Sequence, residues 1–318
     1  MRNMHNCSLW HGVCSILHGV CSLEHLELSC QLPCRLVSSA VSQLTGLRNL
    51  ELVGRLDLKF PADMSCLQRL WRLHIEMCDG MQLLSAIRTL PRLRTLVLGG
   101  DFEDTFTLQP FKDSKLGFPA QLGCLSSSLD TLYVCVERFP GHVSALSQLQ
   151  KLTSLLVVGL VPHSDSIVEQ LGDALACLTS LQDLDLSDCQ LQLCPSKLAG
   201  LSTLTKLALN NVPLKPFTCS LAAWSQLQEL DLVIDLPSLP TDLSRLTALQ
   251  ILSNDSKSNS LQLDGPLDWI DSMPHLTILD LFQDAPSWPS GALCWLVKAE
   301  QQLKQRSEEA YMWYLGPG

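Results

Sequence analysis

Three observations predict an α/β solenoid: a curved horseshoe with a parallel β-sheet on its concave face and irregular or helical return segments on its convex side. First, a Leu-x-x-Leu-x-Leu triplet starts at Leu23, Leu47, Leu70, Leu93, Leu129, Leu152, Leu181, Leu204, Leu227, Leu249 and Leu276, at intervals of 24, 23, 23, 36, 23, 29, 23, 23, 22 and 27 residues. A recurring period near 23 marks stacked structural units. Second, with the first leucine as position 1, positions 4 and 6 are apolar and alternate as a strand with one buried face does. Third, the segments between triplets carry a Pro followed by leucines three apart. Phe60 and Pro61 precede Met64 and Leu67, Phe118 and Pro119 precede Leu122 and Leu125, and Leu239 and Pro240 precede Leu243 and Leu246. Pro starts a helical turn well, and leucines spaced by three then point inward.

Each element follows in order. Position 4 is Leu in every copy, and position 6 is Leu, Ile or Val except at the Leu249 repeat, where Asn254 stands. One such strand cannot bury its face alone, so the strands stack in parallel and the return segments cover the other side. About 11 repeats then form one solenoid over 23–286, because each repeat touches only its neighbours. Residues 1–22 read as an N-terminal cap or decayed repeat, and 287–318 as a C-terminal capping helix and tail. From about Ser290, the residues Leu293, Leu296, Leu303 and Tyr311 keep helical spacing, while Lys298, Glu300, Gln301, Lys304 and Arg306 are polar.

These triplets and prolines resemble the leucine-rich-repeat family in its roughly 23-residue LxxLxxLxLxxN/CxLxxLP form, over about 23–285. The chain is similar to plant and algal intracellular proteins of that kind, and LTSLQDLDLSDCQLQLCPSKLAGL looks like the repeats of plant immune receptors. In the family, an Asn or Cys at position 9 bonds neighbouring backbone. Here that position is Cys78 and Cys189 in two repeats, and Asp101, Asp235 and Asp284 in three others. Elsewhere it is unrelated, Leu160 and Val212 among them, so a less regular ladder is implied.

Composition limits function. The net charge of −10 is uneven: residues 1–98 hold 10 Lys and Arg against 7 Asp and Glu, whereas 99–318 hold 12 against 25. The acidic majority argues against nucleic acid or an anionic membrane as a general partner. No apolar run reaches the length of a membrane span, and the N-terminus does not read as a signal peptide. The 14 cysteines are scattered, with Cys66, Cys124 and Cys177 at equivalent return-segment sites, as reduced, small buried hydrophobes in a cytoplasmic protein would be. By family analogy alone, association with the cytoskeleton, including the axoneme, is the alternative location.

Positions 3, 5 and 7 face away from the core and are the candidate partner-binding surface. The first three repeats offer Arg72, His74 and other mixed or charged residues. The middle three offer Val97, Tyr133, Leu156 and Val158, mostly apolar. The next three offer Asp183, Asp185, Lys206, Asn210, Glu229 and Asp231, mostly acidic. An apolar centre beside an acidic strip suits a protein partner with an apolar anchor and basic residues. The long interval after Leu93 holds an insertion at about 101–117 with Phe102, Phe106 and Phe111, a second candidate surface or a shield for neighbouring repeats. The insertion near 161–170 is polar.

Catalysis finds no support. There is no phosphate-binding loop, nucleophile elbow or HExxH helix. Asp183, Asp185 and Asp188 lack the loop spacing of a calcium site and read as a solvated acidic face. His11, Cys14, His18 and Cys21 share a helical face and make a weak zinc candidate, but Gly12 and Gly19 disfavour the helix and a cap is preferred. The expectation is therefore a non-catalytic interaction scaffold, without cofactor or metal, that binds a protein on its concave face. The alternative is the recognition part of a larger receptor or ubiquitin-ligase adaptor, immune-receptor-like or F-box type, whose effector domain lies elsewhere. No nucleotide-binding module is found, and the stretch before Leu23 is too short for an F-box.

Overall fold

The computed structural model describes residues 22–29, 43–53, 64–75, 87–99, 120–135, 143–160, 164–189, 191, 195–210, 212, 221–232, 242–253, 267–280, 292–306 and 311–313. They fall into two compact units, Met1–Ala174 and Leu175–Gly318.

The first unit carries strands β1 (His25–Ser29), β2 (Asn49–Val53), β3 (Arg72–Ile75), β4 (Thr95–Leu98), β5 (Thr131–Cys135) and β6 (Ser154–Val158). Each pairs in parallel with the next in chain order. Position 3 faces position 3 throughout: His25 opposes Asn49, Asn49 opposes Arg72, Arg72 opposes Thr95 and Thr95 opposes Thr131. The 36-residue interval therefore causes no slip. The second unit repeats the pattern with β7 (Asp183–Asp185), β8 (Lys206–Ala208), β9 (Glu229–Asp231), β10 (Ile251–Ser253), β11 (Ile278–Asp280) and β12 (Tyr311–Trp313).

A backbone device holds the register. The position-2 carbonyl of one repeat accepts two N–H groups, from positions 2 and 3 of the next. Trp71 and Arg72 donate to Arg48 at 3.0 and 3.2 Å, and Arg94 and Thr95 donate to Trp71 at 2.8 and 2.9 Å. In the second unit Gln228 and Glu229 donate to Thr205 at 2.7 and 3.0 Å, and Thr277 and Ile278 donate to Gln250 at 2.9 and 3.0 Å.

The leucines form the core. Leu50, Leu73, Leu96, Leu132, Leu184, Leu207, Leu252 and Leu279 at position 4 are fully buried. The LxxL steps before each strand make tight turns: the N–H of Leu47 reaches the Leu44 carbonyl at 3.0 Å, and that of Leu181 reaches Leu178 at 3.0 Å. Where Trp224 replaces the leucine of this step it is 1% exposed, and its indole N–H donates to the Leu198 carbonyl at 3.1 Å. Position 9 is interior with or without the family's Asn or Cys: Cys189, Leu160 and Val212 are all buried. The exposed thiols of Cys124 and Cys177 and the half-buried Cys66 depart from the buried hydrophobe expected at those sites. The inward position of each return segment is taken by the following residue, Leu67, Leu125 or Leu178, which leaves the cysteine before it pointing outward.

Among the described residues, return segments hold short 3-10 helices at Ala120–Leu125, Val143–Gln148, Leu221–Trp224, Leu243–Arg245 and Asp268–Ser272. The polar insertion near 161–170 instead opens a helix, α1 (Asp165–Ala176), because a 29-residue interval has room for three turns. A short helix, α2, spans Pro195–Leu198.

The C-terminal segment differs from the single long helix expected through Tyr311. The helix α3 (Ala292–Lys304) stops at Lys304, and Tyr311 begins β12 instead. The run Tyr-Met-Trp-Tyr favours a strand, and a strand covers the open edge of β11, which a helix cannot pair. Beneath α3, Ala299 and Leu303 are buried, and Arg306 donates to the carbonyls of Met273 and Ile270, both at 2.7 Å.

Gly99 follows β4 with φ of +127°, a conformation that L side chains rarely adopt, and a Cβ there would stand 2.5 Å from the Cys135 Cβ. Gly99→Ala is therefore expected to destabilise the fold by about 1–3 kcal/mol. Trp224→Ala is expected to cost about 3–5 kcal/mol through the cavity it leaves. Denaturant titration followed by far-UV circular dichroism measures both.

Candidate functional site

The parallel register sorts side chains by position. Positions 4 and 6 enter the core, and positions 3, 5 and 7 line the opposite, free face of the sheet. β2 shows the alternation, with Leu50 and Leu52 buried and Asn49, Glu51 and Val53 half-buried.

In the first unit the free face is less accessible than the alternation implies. Val97 is 1% exposed, Val158 4% and His74 8%, so these expected contact residues present almost no surface. Val97 lies in register between the larger His74 and Tyr133. The His74 Nε2 sits 3.4 Å from the Gly99 carbonyl. Tyr133 and Leu156, directly paired across β5 and β6, remain half-buried and supply apolar surface. Arg72 is also half-buried and faces Glu51 at 3.5 Å, while Asn49 Nδ2 donates to the same carboxylate at 3.3 Å. The insertion residues Phe102, Phe106 and Phe111, and His11, Cys14, His18 and Cys21, lie outside the described residues.

In the second unit the acidic residues converge. Asp183 opposes Lys206, which opposes Glu229, at position 3. Asp185, Ala208 and Asp231 follow at position 5. The small Ala208 leaves only a methyl group between the two carboxylates on either side of it. Lys206 is exposed and pairs with Glu229 at 2.9 Å, and this bond holds the ammonium above its usual range. Asn210 Nδ2 donates to Asp231 at 2.9 Å. Sequence reasoning missed Asp280 and the half-buried pair Ile251 and Ile278, which oppose each other on the same face. The alternation of β10 and β11 was readable, but the degenerate Leu249 repeat drew attention to Asn254 instead.

Asp185 is the most perturbed of these carboxylates. Burial is the largest cause and raises its pKa. The Ser187 hydroxyl and backbone N–H, the latter at 2.8 Å, donate to it and pull the pKa back, while Asp183 and Asp231 add like charge that raises it. Asp188 has φ of +57°, and its N–H donates to the Asn210 carbonyl at 2.7 Å. The DxDxxD run thus leads from β7 into a turn closed by the Asp185–Ser187 bonds and tied to Asn210 of the next repeat. Among the described residues, no group of three His, Cys, Asp or Glu is placed to hold a metal ion. No described helix is long and apolar enough to cross a membrane.

Solved structures with this arrangement identify it. An internalin from Listeria monocytogenes superposes with a TM-score of 0.55 at 17% identity, covering 93% of this chain and 81% of the internalin. The fold is the leucine-rich-repeat fold. A TDR receptor superposes with a TM-score of 0.57 at 19% identity, covering 87% of this chain and 45% of the receptor. A leucine-rich-repeat protein of Leptospira interrogans is also similar, with a TM-score of 0.47 at 17% identity, covering 93% of this chain and 85% of that one. No protein-family model and no curated protein matches the sequence.

The raised pKa of Asp185 has a sign. A carboxyl with a folded pKa above its unfolded value contributes stability below the unfolded value, and loses it as pH rises through the folded one. Asp185→Asn keeps an oxygen to accept from Ser187 and removes the charge. It is expected to raise the thermal midpoint at neutral pH, with the gain vanishing near pH 3, where both states are protonated. Thermal melts of both proteins across that range measure the difference.

Proposed function

We propose that this leucine-rich-repeat chain is a non-catalytic interaction scaffold whose protein partner lies along the free face of the sheet. The observation that carries the reading is the composition of that face in the second unit. Asp183, Asp185, Glu229, Asp231 and Asp280 stand there with Lys206 as the one cation among the described face positions of β7 to β11. Such a strip attracts and orients a basic partner, and electrostatic complementarity of this kind governs specificity and association rate. The Ile251 and Ile278 pair offers the apolar anchor beside it. In the first unit Tyr133 and Leu156 provide apolar surface.

The partner reading also draws on Asp185. It is half-buried, its burial penalises the charged form, and the neighbouring Lys206 is bonded to Glu229 instead, so a basic group arriving from a partner would offset that penalty. We place the protein in a reducing, cytoplasmic compartment, a reading that the scatter of its 14 cysteines through the repeats supports. The second reading, the recognition part of a longer receptor, draws on the TDR receptor, of which this chain covers 45%.

Charge reversal tests the face. Affinity purification of the wild type and of the D185K/D231K double variant, followed by quantitative mass spectrometry, compares their partners. Loss of about tenfold or more of a partner's recovery with the double variant is the expected outcome, since each desolvated charge pair is worth at least about 1.4 kcal/mol. Equal recovery of every interactor would reject this face as the binding surface.

A further inference from the structure

A second surface, opposite in charge, lies at the strand-entry edge of the first unit. Thr45, Gly46, Cys66, Gln68, Arg69 and Arg92 line an open groove of about 720 Å³ there. Gly46, Arg69 and Arg92 each immediately precede the first leucine of successive repeats, at 23-residue intervals. The register of β2, β3 and β4 carries this equivalence into space, so the three form a column with a spacing near 5 Å. The glycine adds no side chain to the column, which leaves the groove open beside two guanidinium groups. Both arginines are exposed, and neither side chain makes a hydrogen bond or ion pair with any described residue.

The next column strengthens the case. Arg48, Trp71 and Arg94 occupy position 2 of the same three repeats and are joined by the carbonyl ladder. Trp71 is 41% exposed, two residues from Arg69. Trp and Arg together are the side chains that anchor protein interfaces.

We infer that this groove binds a phosphorylated side chain of a protein partner, with Arg69 and Arg92 on the phosphoryl oxygens and Trp71 against the flanking peptide. Two planar forks a strand spacing apart match a group with three acceptor oxygens, whereas one fork already saturates a carboxylate. The Thr45 hydroxyl and Gln68 amide add neutral donors at the groove wall. A free phosphate occupies only a small part of a groove this size and leaves Trp71 uncovered, so a peptide is the better occupant. This site is separate from the acidic face and stands or falls without it.

The test uses the full chain immobilised and three synthetic peptide pools, degenerate except for a central phosphoserine, serine or glutamate. Retention of the phosphoserine pool about tenfold above both others is expected. Arg69→Gln with Arg92→Gln abolishes the preference, and the double lysine variant, which keeps the charge but not the forks, loses most of it. D185K/D231K leaves it intact, which separates failure here from failure of the acidic face. Trp71→Ala weakens the peptide pool but not inorganic phosphate, measured by calorimetry on the same proteins. Equal retention of the three pools, or a preference that survives both double variants, overturns the site. Inorganic phosphate that binds as tightly as the peptide pool overturns the peptide assignment.

Discussion

The position-2 carbonyl, shared by two N–H groups of the following repeat, is the contact on which everything else rests. A buried backbone acceptor must be satisfied, and here one oxygen satisfies two donors at 2.7 to 3.2 Å. The donors belong to consecutive residues, so the next strand has a single register available to it. A slip of one residue would turn position 4 outward and expose a leucine in every repeat. The leucine core and the carbonyl ladder therefore enforce the same alignment. That agreement explains why the long interval between Leu93 and Leu129 leaves Thr95 opposite Thr131.

A fixed register turns sequence positions into columns, and columns concentrate chemistry. Acidic residues scattered from Asp183 to Asp280 are brought onto one face when they share position numbers. Asp185 and Asp231 are two repeats apart, with the small Ala208 between them. Arginines before the first leucine stack in the same way at the strand-entry edge. The uneven charge of the chain thus appears as two separate surfaces of opposite sign, an acidic sheet face in the second unit and a basic groove in the first. Each surface suits a complementary charge.

Irregularities are absorbed outside the strands. A longer interval becomes the helix α1, Trp224 replaces a leucine by finding the Leu198 carbonyl for its indole N–H, and Leu160 or Val212 fills position 9 without the side-chain bond of Asn or Cys. Substitution is tolerated at these places because the ladder needs backbone atoms alone. Gly99 is the exception, since the chain turns there with positive φ against Cys135.

The strands, their parallel order and the buried positions were legible in the sequence, because a period of about 23 and the spacing of three leucines leave one consistent way to bury apolar area. The acidic composition of the free face could be read in the same way, from Asp183, Asp185, Glu229 and Asp231. Accessibility could not. Whether Val97, Val158 or His74 meets solvent depends on the size of neighbours in adjacent strands, and only the folded sheet brings those neighbours together. The C-terminal strand at Tyr311 also lay beyond sequence reasoning, because its short aromatic run lacks the triplet and takes its form from the open edge of β11. The groove beside Arg69 and Arg92 was hidden for the same reason. Periodicity fixes which residues are equivalent, whereas tertiary structure decides what equivalent residues leave open between them.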